Sequence, residues 1–454
     1  MTISRQSKKP LGFWMLFSLV VGNVIGAGIF LLPSTLAQYG SISLISWVIT
    51  LAGSLCLAFV FADLNRKIPV TGGPFIYTRA AFGDFLGFIV AYTYWVAWCV
   101  GNASMALTIP GYLSVFFPIL KTNSFSPWFN FLIEVIVVWF IVGINLCGIK
   151  AVGRMQLITT ILKIIPLLVI GVVGLFQIHW NNIASNFTPL GSTPMHSLLG
   201  AMTVTLWAFI GFESSTIPAD DATSSRTVGR ATLIGTLFVG FIYVLCSFTL
   251  MGLFPASELK QSISPFADAA GLLFGSTAAK LIALCALISI IGALNGSVLV
   301  QTLDSVAASR YNLGPRSFTF LQKNNVAYVA FITAGIAITL LLALSLKKSL
   351  IEQFNLIVVI STLAFLIPYF ICCMAQLVLL INEMNQLARH FWLKSVTITI
   401  LASIYAFWTM IGAGKDNVFY GCLFFFSAFP MYVVLYWTKR KKSQNFGLAD
   451  KLAD

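Results

Sequence analysis

The chain has 454 residues, of which 58% are hydrophobic and 9% charged, with a net charge of +13. Soluble domains carry about 25% charged residues, so this composition excludes a soluble globular protein and describes a polytopic membrane protein. The short basic runs at the ends sit beside apolar segments, which speaks for membrane topology and against nucleic-acid binding.

Apolar windows of about 20 residues predict twelve transmembrane helices, at roughly 12–36, 42–62, 85–117, 128–147, 153–178, 196–217, 229–253, 278–308, 327–346, 354–380, 393–412 and 417–437. The stretches between them are too short for a soluble domain. The third and eighth windows are long, so tilted helices are expected there. With a cytoplasmic N-terminus and alternating segments, cytoplasmic parts hold Arg5, Lys8, Lys9, Arg66, Lys67, Arg79, Lys150, Arg154, Arg226, Arg230, Arg310, Arg316, Lys323, Arg389, Lys394 and the basic C-terminal tail. The opposite loops hold only Lys121, Lys260, Lys280, Lys347, Lys348 and Lys415. The positive-inside rule then places both termini in the cytoplasm.

The first window contains GNVIGAGIF at 22–30, weak helix formers at the centre of a spanning segment. Glycine costs about 1 kcal/mol against alanine in a helix interior, and in lipid each freed backbone group needs another partner. A break there is expected to line a cavity or pack against protein. STLA at 34–37 has the look of a signal cleavage site, but the apolar stretch is too long for a signal h-region. The segment is read as retained.

In the third window, Tyr94, Trp98 and Asn102 share one helical face, and a mid-membrane Asn102 needs polar partners. Glu134 in the fourth window and Lys163 in the fifth are deep charges, expected to pair with one another. The sixth window reads TLWAFIGFESSTIPADD at 205–221, with Gly211, Glu213 and Pro218 where a helix should continue. A carboxylate inside a spanning segment is costly and usually functional, so Glu213 is a candidate to bind and release a proton as a site opens and closes. Trp207 stands six residues earlier and can cap a ligand. Asp304, near the end of the eighth window, reads as an interfacial anchor. The eight cysteines show no CxxC spacing, so packing is their default reading, with no metal, cofactor or disulfide indicated.

Interruptions in the first and sixth segments lie five segments apart, which is the pattern of an inverted-repeat transporter. The predicted division is 1–180 for helices 1–5, 195–380 for helices 6–10, and 390–437 for helices 11 and 12. A half-helix starting at Gly28–Phe30 would offer N–H groups and a positive dipole end to a carboxylate. Carbonyls freed near Ala208–Gly211 would accept an ammonium group. Together they suit a zwitterion, most simply an amino acid. The competing reading is that these glycines only allow close helix packing.

GNVIGAGIFLLP, TGGPFIYTRAAFGDFLGF, YWVAWCVGN, TLWAFIGFES and SPFADAA resemble the amino acid–polyamine–organocation transporters, and within them the arginine/agmatine-type antiporters of the basic amino acid/polyamine group. The resemblance runs through nearly the whole chain. It implies a LeuT-like five-plus-five inverted-repeat fold with broken helices 1 and 6, alternating access, a bacterial inner-membrane location and a homodimer. It implies substrate contacts from Asn23, Val24, Gly26, Ala27 and Gly28 of the glycine motif. Ala97, Trp98, Asn102, Met105, Trp207, Ile210, Ser297 and Ser361 would line the rest of the pocket. Gating falls to Tyr94, Trp207, Glu213, Phe354 and Tyr369, and proton coupling to Glu213. Ala27, Trp98 and Ser297 depart from the arginine exchangers, which carry a serine, a cysteine and a guanidinium-stacking tryptophan at those positions. The departures speak against arginine as the substrate.

The leading reading is therefore an antiporter exchanging an amino acid for another or for an amine. A proton-coupled amino-acid symporter is the alternative, and a membrane nutrient sensor with the same pocket is a third. An enzyme is disfavoured: only His179, His196 and His390 are present, all near segment ends, with no HExxH pair.

Overall fold

A computed structural model describes residues 11–451, apart from 27, 123–125, 148, 185–186, 190, 218, 220–221, 323–325, 347–349 and 385–387. Helices occupy all twelve apolar windows. They are α1 (Phe13–Val24) and α2 (Gly28–Leu36), α3 (Ser43–Lys67), α4 (Pro74–Phe82), α5 (Asp84–Ala106), α6 (Ser126–Leu146), α7 (Ile149–Gly174), α8 (Pro194–Phe209), α9 (Ser225–Leu253), α10 (Pro265–Phe274), α11 (Ser276–Arg310), α12 (Tyr328–Ser345), α13 (Leu350–Asn382), α14 (Arg389–Gly412) and α15 (Lys415–Lys451). α4 and α10 are short helices between windows. Among the described residues nine spans are long and apolar enough to cross a bilayer alone, and α1 with α2 form a tenth bent by 41°. The protein is an all-α, multi-pass integral membrane protein.

Burial separates the inner helices from the outer ones. The span containing α8 is 78% buried within the protein, whereas the last span is 11% buried. Exposed Trp14, Phe129, Phe140, Phe241, Leu281, Phe407 and Phe426 lie on the outer surface. A monomer in water rarely tolerates so much exposed apolar area, but lipid is a good solvent for it. α1 packs along α9, α9 along α3, α11 along α5 and α7, and α13 along α5. The broken helices thus end up at the centre. Pro166 and Pro368 lie inside helices, which membrane helices tolerate where neighbours re-satisfy the freed backbone.

The two long windows differ in outcome. α11 is one uninterrupted 35-residue helix. The third window instead ends its helix at Ala106 and turns at Leu107–Thr108 into a short helix, Ile109–Leu113. Pro110 stands in the first turn of that helix, the place in a helix where a missing N–H costs nothing.

Candidate functional site

The first span stops at Val24 and resumes at Gly28, at the predicted place. Ala27 lies outside the described residues. The last carbonyls of α1 would be orphans in lipid, and two side chains take them up. Lys163 of α7 donates to the carbonyls of Gly22 at 2.6 Å and Ile25 at 2.8 Å. Tyr243 of α9 donates to that of Val24 at 2.6 Å. Lys163 therefore pairs with the negative end of a half-helix, and not with Glu134 as the sequence suggested. Glu134 lines a separate cavity of about 530 Å³ with Glu258, Asp268 and Leu350. Both groups are buried, but they serve different parts of the fold.

The sixth span breaks in a different way. α8 ends at Phe209, Gly211 adopts φ 106°, and residues Phe212–Thr216 continue as a 3-10 turn. A side chain at Gly211 would carry both left-handed strain and contact with Asn23, whose carbonyl carbon and Cβ would lie 3.4 Å from the new Cβ. The two breaks touch at this point. Pro218, the other expected breaker, lies outside the described residues.

A small cavity of about 10 Å³ lies at the junction, lined by Asn23, Val24, Gly26, Gly28, Trp98, Gly101, Met105, Trp207, Ala208, Ile210 and Phe365. Eight of the expected pocket residues thus share one cavity. Its size is roughly that of one water probe, against the several hundred Å³ of a typical ligand site. The aromatic rings hold it shut. Trp207 packs edge-on against Phe354 at 5.4 Å, and Trp98 against Phe365 at 5.0 Å. Among the described residues, three side-chain polar atoms of the lining have no hydrogen-bond partner: both heteroatoms of Asn23 and Nε1 of Trp98.

Four expected residues stand just outside this lining. Asn102 is buried and donates through Nδ2 to Gln301 Oε1 at 2.8 Å, while Ser297 donates to Asn102 Oδ1. The polar partners that Asn102 was expected to need come from α11. Ser361 donates weakly to the Ala97 carbonyl at 3.4 Å and lies behind Gly101.

Deeper toward the basic end of the bundle, Glu213 is fully buried. Its Oε1 accepts from Tyr94 at 2.6 Å and from Tyr369 at 2.8 Å, and its Oε2 accepts from the Gly211 N–H at 3.2 Å. The carboxylate therefore caps its own broken helix and draws α5 and α13 together. Asp304, expected as an interfacial anchor, is instead buried, at 1% exposure. α11 continues for another turn and a half, to Arg310, before reaching its end, which leaves Asp304 inside the protein.

The whole-chain comparison agrees with this architecture. A family model described as amino acid permease matches residues 11–446. The chain belongs to the amino acid permease family. This permease is 29% identical over 415 residues to a cadaverine/lysine antiporter of Escherichia coli strain K12, covering 90% of its own length and 91% of the relative's. It is 29% identical over 434 residues to a putrescine transporter of Haemophilus influenzae, covering 95% and 98%.

Three contributors, Tyr243, Phe365 and Gln301, are not singled out by the sequence, and Lys163 has a different partner from the expected one, because spacing does not reveal a backbone carbonyl. Tyr243 and Phe365 sit in helices rich in aromatics, where nothing local singles them out. Gln301 had a usable signal: it follows Ser297 by four residues, on the same face of an apolar helix.

Proposed function

We propose that this permease is a secondary active antiporter that exchanges one amino acid for another, or for an amine, by alternating access between the two sides of the membrane. The observation that carries the reading is the meeting of both helix breaks at one cavity, Asn23 against Gly211. Lys163 occupies the carbonyl end of α1, so the N–H groups at the start of α2 remain for a substrate carboxylate. Asn23, Gly26 and Gly28 line that cradle. Ala208 and Ile210 of the second break, with Trp98 and Trp207, take the amine end and the side chain. The relatives' names, which join an amino acid with an amine or name an amine alone, support the same substrate class.

In this reading 1–180 and 195–380 are two inverted repeats and 390–437 is appended, giving twelve spans in all. The basic loops put both termini in the cytoplasm of a bacterial inner membrane, and the family suggests a homodimer. Glu213, released from Tyr94 and Tyr369, takes up a proton when the cytoplasmic side opens.

Uptake of labelled amino acids and amines into proteoliposomes tests the proposal. Uptake only into vesicles loaded with a counter-substrate is the expected result. Uptake into empty vesicles driven by an inward proton gradient would replace the antiporter with a proton symporter, the reading that the buried Glu213 favours. In either case Glu213→Gln should flatten the pH dependence of transport, and an unchanged profile would remove the proton role.

A further inference from the structure

Asp304 is a buried ionisable group that the mechanism above does not use. It is 1% exposed, and neither of its carboxylate oxygens has a hydrogen-bond partner among the described residues. Glu213 by contrast has a donor on both oxygens. None of the ion pairs among the described residues includes Asp304. A bare carboxylate at this depth is costly, and an apolar residue would serve packing better.

Its position gives the residue a use. Ser297, Gln301, Asp304 and Ala308 follow one another along a single face of α11, at spacings of four, three and four. Ser297 binds Asn102 beside the closed cavity, and Gln301 accepts from Asn102 and donates to Cys99 Sγ at 2.9 Å. Asp304 is the next polar group on that face, toward the end marked by Arg310. Ser297 meets Asn102, whereas Gln301 meets Cys99 and the Trp95 carbonyl at 3.4 Å, so α11 runs antiparallel to α5 and its next turn brings Asp304 to the level of Tyr94, which donates to Glu213 at 2.6 Å.

We propose that Asp304, together with Glu213, forms a second cation subsite between the closed cavity and the cytoplasm, which takes the ammonium end of an alkylamine or dibasic amino acid as it enters or leaves. The inference rests on the transport reading and narrows its substrate class to molecules with an ammonium group free of the carboxylate cradle. An ammonium ion brings three N–H donors and no acceptor, the complement of two carboxylates when Tyr94 and Tyr369 swing away from one of them. It also answers the substitution at Ser297: with no aromatic ring on this face to hold a cation, a carboxylate two turns further along does so.

The test is exchange of 1,5-diaminopentane in proteoliposomes of known orientation, with half-saturation measured separately on each face, for the native protein, Asp304→Asn and Asp304→Glu. Asn keeps the shape and removes the charge, and a melting curve of each variant checks folding. The expected result is a rise of about tenfold or more in cytoplasmic half-saturation for Asp304→Asn, with a smaller change on the outer face and recovery in Asp304→Glu. Equal half-saturation on both faces would overturn the subsite. So would a variant altered only in its pH profile, which would make Asp304 a proton site, or native protein that exchanges neutral amino acids and no amine. Native protein that exchanges nothing would sink the transport reading instead. The subsite would then be decided by the thermal shift of the purified protein with 1,5-diaminopentane: a shift present in the native chain and lost in Asp304→Asn supports it, and any other pattern refutes it.

Discussion

Gly28 offers the sharpest test of the closed cavity. An added Cβ would lie 2.8 Å from Cζ3 of Trp207, 3.2 Å from Cε3 and 3.5 Å from the Ala208 Cα. Ordinary contact begins near 3.4 Å, so the indole ring must retreat by about 0.6 Å while Phe354 stands behind it, edge-on, at 5.4 Å. Overpacking of this kind costs about 1–3 kcal/mol, borne only by conformations in which Trp207 lies over the break. Gly28→Ala should therefore depopulate the closed state about 5- to 150-fold, since 1.4 kcal/mol is a factor of ten. Gly26 is the comparison, because its added Cβ would meet the flexible end of Met105 at 3.3 Å and the effect should be milder. Exchange rate and substrate Kd in Gly28→Ala, Gly26→Ala and the double mutant Gly28→Ala/Trp207→Phe would measure this. The smaller ring should recover part of the loss. Native exchange in Gly28→Ala, with no change in Kd, would refute the placement of Trp207 over the break.

Lys163→Met should lower both the melting temperature and substrate affinity, because it orphans the carbonyls of Gly22 and Ile25 at about 1–3 kcal/mol each, partly offset by no longer burying a charge. Unchanged values for both would mean that the break needs no such tie. Removing both tyrosine hydroxyls, in Tyr94→Phe/Tyr369→Phe, takes two hydrogen bonds worth about 1.5–3 kcal/mol each from the Glu213 carboxylate. The cytoplasmic side should open more often, and alkylation of the buried Cys372 by a thiol reagent should accelerate; an unchanged labelling rate would deny these bonds a gating role. Ser297→Trp with Trp98→Cys should create arginine binding through a cation–π contact of about 0.5–2 kcal/mol, read by calorimetry. No gain would place specificity elsewhere in the pocket.

The sequence determined what depends on the chain's own chemistry. Its low charge and its apolar windows require a bilayer, whatever the packing. The glycines of 22–30 and Gly211 mark where helices cannot hold, because helix propensity and positive φ are local properties. The face shared by Tyr94, Trp98 and Asn102 followed from helical periodicity alone. The tertiary structure decided which groups meet. Lys163 found carbonyls instead of Glu134, because any backbone oxygen at a helix end can receive an ammonium and no letter marks it. Asn102 found Gln301 and Ser297, because α11 packs along α5. Asp304 passed from surface to interior because depth in a bundle depends on how far a helix runs beyond its apolar window and on what covers it. Local geometry was legible in the residues; partners and burial arise from contacts between segments far apart in the chain, and those appear only when the helices are packed.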